Sequence, residues 1–283
     1  MTQYVLNLDA FNHYVKHCLD EHQDEIDKEK LERIHPQSYL YRNSVNILVG
    51  KQGSGKTFTC AYEIAKISQL HDETHLLVIV CKDENKEDPT IKSLASMIDL
   101  PIEYVNESNA EEYMRNLLAC KQKYNAIRKE IKERKMIPKI RSNMNENDFD
   151  IDTMKNTLNV LKIHDFSREY LHTLVLFNDI AKSKLFNRPT NYFNQLLPIC
   201  RHIQCSFFLN VQFWKSLPPE IKANATTIII FGGFDVRQLY YIFSQVPTAC
   251  SVKEIIPEYR QLKKHDKLIV DCETQELYLD ESL

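Results

Sequence analysis

Residues 50–57 read GKQGSGKT and satisfy G-x-x-x-x-G-K-[ST], a spacing whose chemistry is the binding of a nucleotide's phosphates. The chain has only five glycines in 283 residues, where average usage would supply about 20. Three of the five are Gly50, Gly53 and Gly55. Glycine is needed there because the backbone must turn tightly and face its N–H groups toward a polyphosphate with no Cβ in the way. In such a loop Lys56 reaches the β- and γ-phosphates of ATP and the Thr57 hydroxyl holds Mg²⁺. Ser54 and Phe58 complete the run expected to line the nucleotide. A glycine-rich strand-to-helix turn with no ligand would leave Lys56 and Thr57 unexplained.

Two further positions carry candidate chemistry. The apolar run TLVLFND at 173–179 ends in Asn178-Asp179. A carboxylate at the tip of a buried strand beside the loop strand would hold Mg²⁺ through its water shell, and a second one would activate the attacking water. Asp179 is the only acid of the pair. Either it holds the metal, with the base supplied from elsewhere (Asp83 or Glu84), or it is the base, and Mg²⁺ rests on Thr57, water and the phosphates. Asn178 is the weaker metal ligand, because a hard cation prefers charged oxygen. The run CSFFLNV leads to Gln212, an amide placed to bond the γ-phosphate or the attacking water, or simply to cap a loop.

The elements that must position these groups follow from pattern. Residues 43–49 form an apolar run rich in β-branched residues, which suits a strand buried on both faces. After Thr57, Phe58, Ala61, Ile64, Ala65, Ile67 and Leu70 recur at helical spacing. The helix start adds unpaired N–H groups and a positive dipole end beside the phosphates. Further strands are expected at 75–83, 101–105, 173–179, 205–212 and 226–231, with a terminal hairpin from 267–271 and 276–279. A long charged helix is expected from 110 to about 135, followed by an Asn-rich linker at 143–150. Alternating strands and helices predict a mainly parallel sheet covered on both faces. An acidic helical extension is expected at 1–40 and one α/β domain at 41–283.

Composition narrows the class. The chain is 43% hydrophobic and 27% charged, with a formal net charge of −3, which suits a water-soluble globule. No window approaches 18 consecutive apolar residues, and no basic-then-apolar leader opens the chain. An intracellular protein without membrane insertion is therefore expected. Its eight cysteines are then expected to be reduced thiols. Cys200 and Cys205 flank His202, but no second pair completes a tetrahedral metal set.

The succession of GKQGSGKT, LVLFND and PICRHIQCSFFLNVQFWKSLPPEIKANATTIIIF resembles the viral genome-packaging ATPases of the FtsK–HerA superfamily, as in poxviruses, other large DNA viruses and virophages. The block from Arg201-His202 through Ser206 to Gln212, and on through Leu217-Pro218, Asn224 and Phe231, carries the resemblance best. It spans about residues 41–283. The resemblance implies a P-loop NTPase fold of the RecA/ASCE type, an ATP–Mg²⁺ site on the loop, and a polar sensor at Gln212. It further implies that Arg201 acts as a finger reaching the γ-phosphate on a neighbouring subunit, so that hydrolysis depends on assembly. Arg201 could instead answer a helix dipole. The family tends to show two adjacent acids where this chain has Asn178-Asp179.

The expected activity is that of an ATP-driven motor that moves double-stranded DNA into a preformed capsid. It would work as a homo-oligomeric ring docked to capsid vertex proteins, in the host cytoplasm or viral factory or associated with the virion. A HerA-like helicase, a nucleotide-binding assembly protein with weak hydrolysis and a P-loop kinase are the rival readings. DNA would be held without regard to base sequence. Residues 120–141 carry nine Lys or Arg against two Glu, which suits either phosphate tracking or a solvated helix face. Lys215, Lys222 and Arg237 are further candidates.

Overall fold

The computed structural model describes residues 39–70, 73–82, 88–133, 151–179, 184–186 and 191–280. The acidic helix expected at 9–35, the Asn-rich segment at 143–150, and Asp83 and Glu84 lie outside them. The chain starts with β1 (Val45–Val49), α1 (Lys56–Leu70), β2 (Thr74–Cys81), α2 (Pro89–Met97), β3 (Ile102–Asn106) and α3 (Ala110–Glu133). Then come α4 (Ile151–Leu161), β4 (His172–Phe177), α5 (Tyr192–Leu196), β5 (Cys205–Val211), α6 (Pro219–Ala223) and β6 (Thr227–Phe231). It ends with α7 (Val236–Phe243), α8 (Val252–Gln261), β7 (Lys267–Asp271) and β8 (Leu277–Asp280).

The eight strands form one sheet in the order β3-β2-β4-β5-β1-β6-β7-β8. The first six in that order are parallel, whereas β7 and β8 return antiparallel as the terminal hairpin. This is the mainly parallel sheet of a P-loop NTPase fold, as expected. Strands β1, β2, β4, β5 and β6 are buried at every position. Their side chains alternate between two layers, which is why they read as continuous apolar runs. On one face Leu48, Leu77, Ile79, Leu174 and Phe208 meet Cys60, Ile64 and Ile67 of α1. On the other, Val49, Val80, Val175 and Phe207 meet Met114, Leu117 and Tyr124 of α3 and Leu239 and Ile242 of α7.

One expectation of order fails. The strand ending in Asn178-Asp179 does not lie beside the loop strand, because β5 is inserted between β4 and β1. Sequence runs show that strands exist, but not which neighbours they pair with. The inserted strand carries Asn210 and leads to Gln212, so two amides stand between the glycine-rich loop and the acid.

Phe177 fixes the last turn of β4 before the site. It is fully buried, with its ring edge-on to Phe193 at 5.0 Å and to Phe186 at 5.4 Å, and stacked against Phe207 at 6.3 Å. Phe177→Ala is expected to cost about 3–5 kcal/mol, read from chemical denaturation. A loss below about 1 kcal/mol would show that the cluster does not support β4.

Candidate nucleotide site

The glycine-rich loop leaves β1 at the carboxyl edge of the parallel strands and closes onto the start of α1. Its glycines need their conformation or their missing Cβ, as Gly55 and Gly50 show. Gly55 sits at φ 99°, where an L side chain is strained. At Gly50 a Cβ would lie 2.6 Å from the Ser54 hydroxyl and 2.9 Å from Phe231 Cβ. Lys56 folds back over the loop, its ammonium donating to the Gly50 carbonyl at 2.7 Å and the Lys51 carbonyl at 2.8 Å. Partial burial holds that ammonium below its ordinary lysine range, while the Asp179 carboxylate pulls it the other way.

Strand register delivers the polar groups. Phe177 lies opposite Leu209, so Asn178 falls beside Asn210, whose side-chain amide donates to Asn178 Oδ1 at 3.2 Å. Thr57 Oγ1 points at the same Oδ1 from 3.4 Å, long for a hydroxyl donor. The chain then turns through Asp179 at φ 55°. That left-handed conformation, which Asp tolerates better than most residues, aims the exposed carboxylate at Gln212, whose Nε2 donates to Asp179 Oδ1 at 2.9 Å. Residues 52–58, Asn178, Asp179, Asn210 and Gln212, with Asp88 and Thr90 at the mouth, line a cleft of about 400 Å³.

The structure therefore gathers Gly53, Ser54, Gly55, Lys56, Thr57, Phe58, Asn178, Asp179 and Gln212 around one cleft. The side-chain oxygen that Thr57 points at belongs to Asn178, and Asp179 lies on the Gln212 side. A hard cation bound through oxygen and water fits this donor set: a hydroxyl and an amide oxygen converge, with the carboxylate on the adjoining residue.

Arg201 is not among these groups. It lies four residues before β5, at the amino edge of the sheet, and faces Glu273 at 3.8 Å. The seven residues of β5 separate it from Gln212 by about 20 Å. It cannot serve its own subunit's cleft. Its turn is held by Lys121, a buried residue of α3, whose ammonium donates to the Ile203 and Gln204 carbonyls, each at 3.0 Å. Lys121 therefore drops out of the basic segment proposed to track DNA. Lys222 drops out too: it is buried, donates to Gln245 Oε1 at 3.1 Å, and lies against Trp214. Lys215 and Arg237 remain exposed, on a groove with Phe213 and Tyr241. No group of His, Cys, Asp and Glu suited to a metal occurs among the described residues, nor does a helix long and apolar enough to cross a membrane.

Asn210 escaped the sequence reading, although a polar residue inside CSFFLNV was a signal. Lys264 and His265, which meet the loop from the far end of the chain, had no local signal at all.

Loop, strand order and the polar strand tips together define a P-loop NTPase fold. A comparison with protein-family models gives no match, and a comparison with curated proteins gives none either. Solved structures do share the fold. The DNA-packaging ATPase B204 of Sulfolobus turreted icosahedral virus superposes with a TM-score of 0.52 at 12% identity, over 86% of this chain and 98% of that one. The genome-packaging NTPase B204 of Sulfolobus turreted icosahedral virus 2, bound to ATP-γS, gives 0.50 at 14% identity, over 85% and 98%.

The amide at 178 makes a direct prediction. Asn178→Asp should tighten Mg²⁺ binding in the presence of nucleotide by about tenfold, since added ligand charge strengthens a hard-cation site. Titration of Mg²⁺ against bound fluorescent nucleotide measures it. No change would place the metal away from residue 178.

Proposed function

We propose that this protein is an ATP-hydrolysing motor that moves double-stranded DNA, and that its task is to pack a viral genome into a preformed capsid. One observation carries the reading: the Gln212 amide holds the Asp179 carboxylate at the mouth of a cleft whose floor is Lys56 and Thr57. That is the arrangement a hydrolase needs and a mere nucleotide-binding turn does not. The fold shared with B204 supports the packaging assignment.

In this reading the loop N–H groups and Lys56 bind the phosphate chain. When bound, Mg²⁺ would neutralise charge on the β- and γ-phosphates, held by Thr57 and the oxygen of Asn178. Asp179 takes the remaining role of base, accepting a proton from the attacking water. Gln212 orients that carboxylate and loses its bond when the cleft rearranges. Arg201, remote from its own cleft, stabilises transition-state charge on a neighbour. The working form is thus a homo-oligomeric ring. DNA is held by its phosphates without base readout, with Lys215 and Arg237 the candidates. Capsid vertex proteins are the expected docking partners, in the host cytoplasm or viral factory or in the virion.

Lys56→Ala and Asp179→Ala are each expected to lower DNA-stimulated ATP hydrolysis by at least about a hundredfold, with circular dichroism unchanged. Undiminished turnover in both would sink the assignment. Mixing Arg201→Ala with wild-type subunits should reduce activity more steeply than dilution. A linear fall would make Arg201 structural.

Asn178 favours a second reading, a P-loop assembly protein that holds ATP and turns it over slowly. Tight ATP binding with negligible turnover in the presence of DNA, recovered by Asn178→Asp, would select it.

A further inference from the structure

The parallel strands end at the nucleotide edge, but β7 runs antiparallel to β6. The residues leading into β7 therefore arrive at that same edge, on the β6 side of the glycine-rich loop, away from β4 and its acid. There Lys264 Nζ lies 3.4 Å from the place a Cβ on Gly53 would occupy. His265 Nδ1, in the tautomer that carries its proton there, donates to the Ser54 carbonyl at 3.2 Å.

This segment is built into place. Asp266 is buried. Its carboxylate accepts from the Lys263 N–H at 2.8 Å and its carbonyl from the Gly232 N–H at 3.1 Å. A Cβ on Gly232 would stand 2.3 Å from the Lys263 carbonyl oxygen, so only glycine lets the two backbones approach this closely. The Tyr259 hydroxyl, at the end of α8, donates to the Phe231 carbonyl and accepts from the Phe234 N–H at 3.1 Å. Neither half of this brace is required by the chemistry assigned to the opposite flank.

We infer that Lys264 is a nucleotide-binding residue acting in cis, its ammonium facing the α-phosphate and ribose end of the ligand, and that His265 positions the glycine-rich loop against it. The inference rests on the reading of residues 50–57 as an ATP site. A phosphate chain whose γ end meets Asn178, Asp179 and Gln212 must direct its nucleoside end toward the other flank, past Gly53 and Gly55. A lysine there can lay its apolar stem along the base and place a mobile point charge on a phosphate oxygen. Such a charge-assisted bond is among the stronger polar contacts.

The test is equilibrium binding of ADP, ATP and inorganic pyrophosphate to the full chain with Mg²⁺, in wild type, Lys264→Gln, Lys264→Arg and Lys56→Ala. Lys264 is exposed, so its replacement leaves the fold intact. Lys264→Gln is expected to weaken ADP and ATP about tenfold, with most of the affinity restored in Lys264→Arg. Pyrophosphate, which can fill the β- and γ-positions and leave the α-position empty, should change by less than about twofold. Wild-type ADP affinity in Lys264→Gln would overturn the inference, as would an equal loss for pyrophosphate. If Lys56→Ala loses nucleotide while Lys264→Gln does not, only the role of Lys264 falls. If wild type binds no nucleotide, the ATP-site reading falls and takes this one with it.

Discussion

Everything at the cleft depends on the register of three parallel strands. Val49 is aligned with Val211, and Phe177 with Leu209. Gly50 therefore leaves the sheet beside Gln212, its N–H still bonded to the Val211 carbonyl, and Asn178 leaves it beside Asn210. A slip of one residue in β5 would send Phe207 and Leu209 to the opposite layer and separate Gln212 from Asp179. Each of these strands buries both faces, so the cost of such a slip falls on two apolar layers at once. The geometry of the cleft is in this sense a by-product of core packing.

Much of this was legible in the sequence, and the boundary of legibility has a physical basis. The loop, its strand and α1 could be read because glycine placement and helical periodicity are local. Six of the eight strands announced themselves as apolar runs, and the terminal hairpin by spacing. Strand order was not local information, so β4 was expected beside β1. Charge runs misled for a related reason. Lys121 and Lys222 look like surface cations in one dimension, whereas the fold uses them as buried donors to carbonyl and amide oxygens. The role of Gly232 was hidden too, because the atom it accommodates belongs to Lys263.

The electrostatics of the cleft are set by the amide that stands at 178 beside the Asp179 carboxylate. An amide at 178 neither titrates nor repels the phosphates, so the charged groups lining the cleft are Lys56, Asp179 and Asp88. That lowers the repulsion a polyanion meets on entry and gives up attraction for a divalent ion. A site of this kind trades metal affinity for access. The burden of orienting the surviving carboxylate then falls on neutral partners, and Gln212 supplies the bond.

The position of β1 in the middle of the sheet has a consequence for how the chain folds. Among the described strands it is the first in the chain, yet its partners are Cys205–Val211 on one side and Thr227–Phe231 on the other. Until those segments leave the ribosome, β1 has unpaired edges and an apolar surface. Contacts of such long sequence separation form slowly, and nascent chains with exposed strands are prone to associate wrongly. The glycine-rich loop, which precedes the other groups of the cleft in the chain, is therefore among the last of them to acquire its shape.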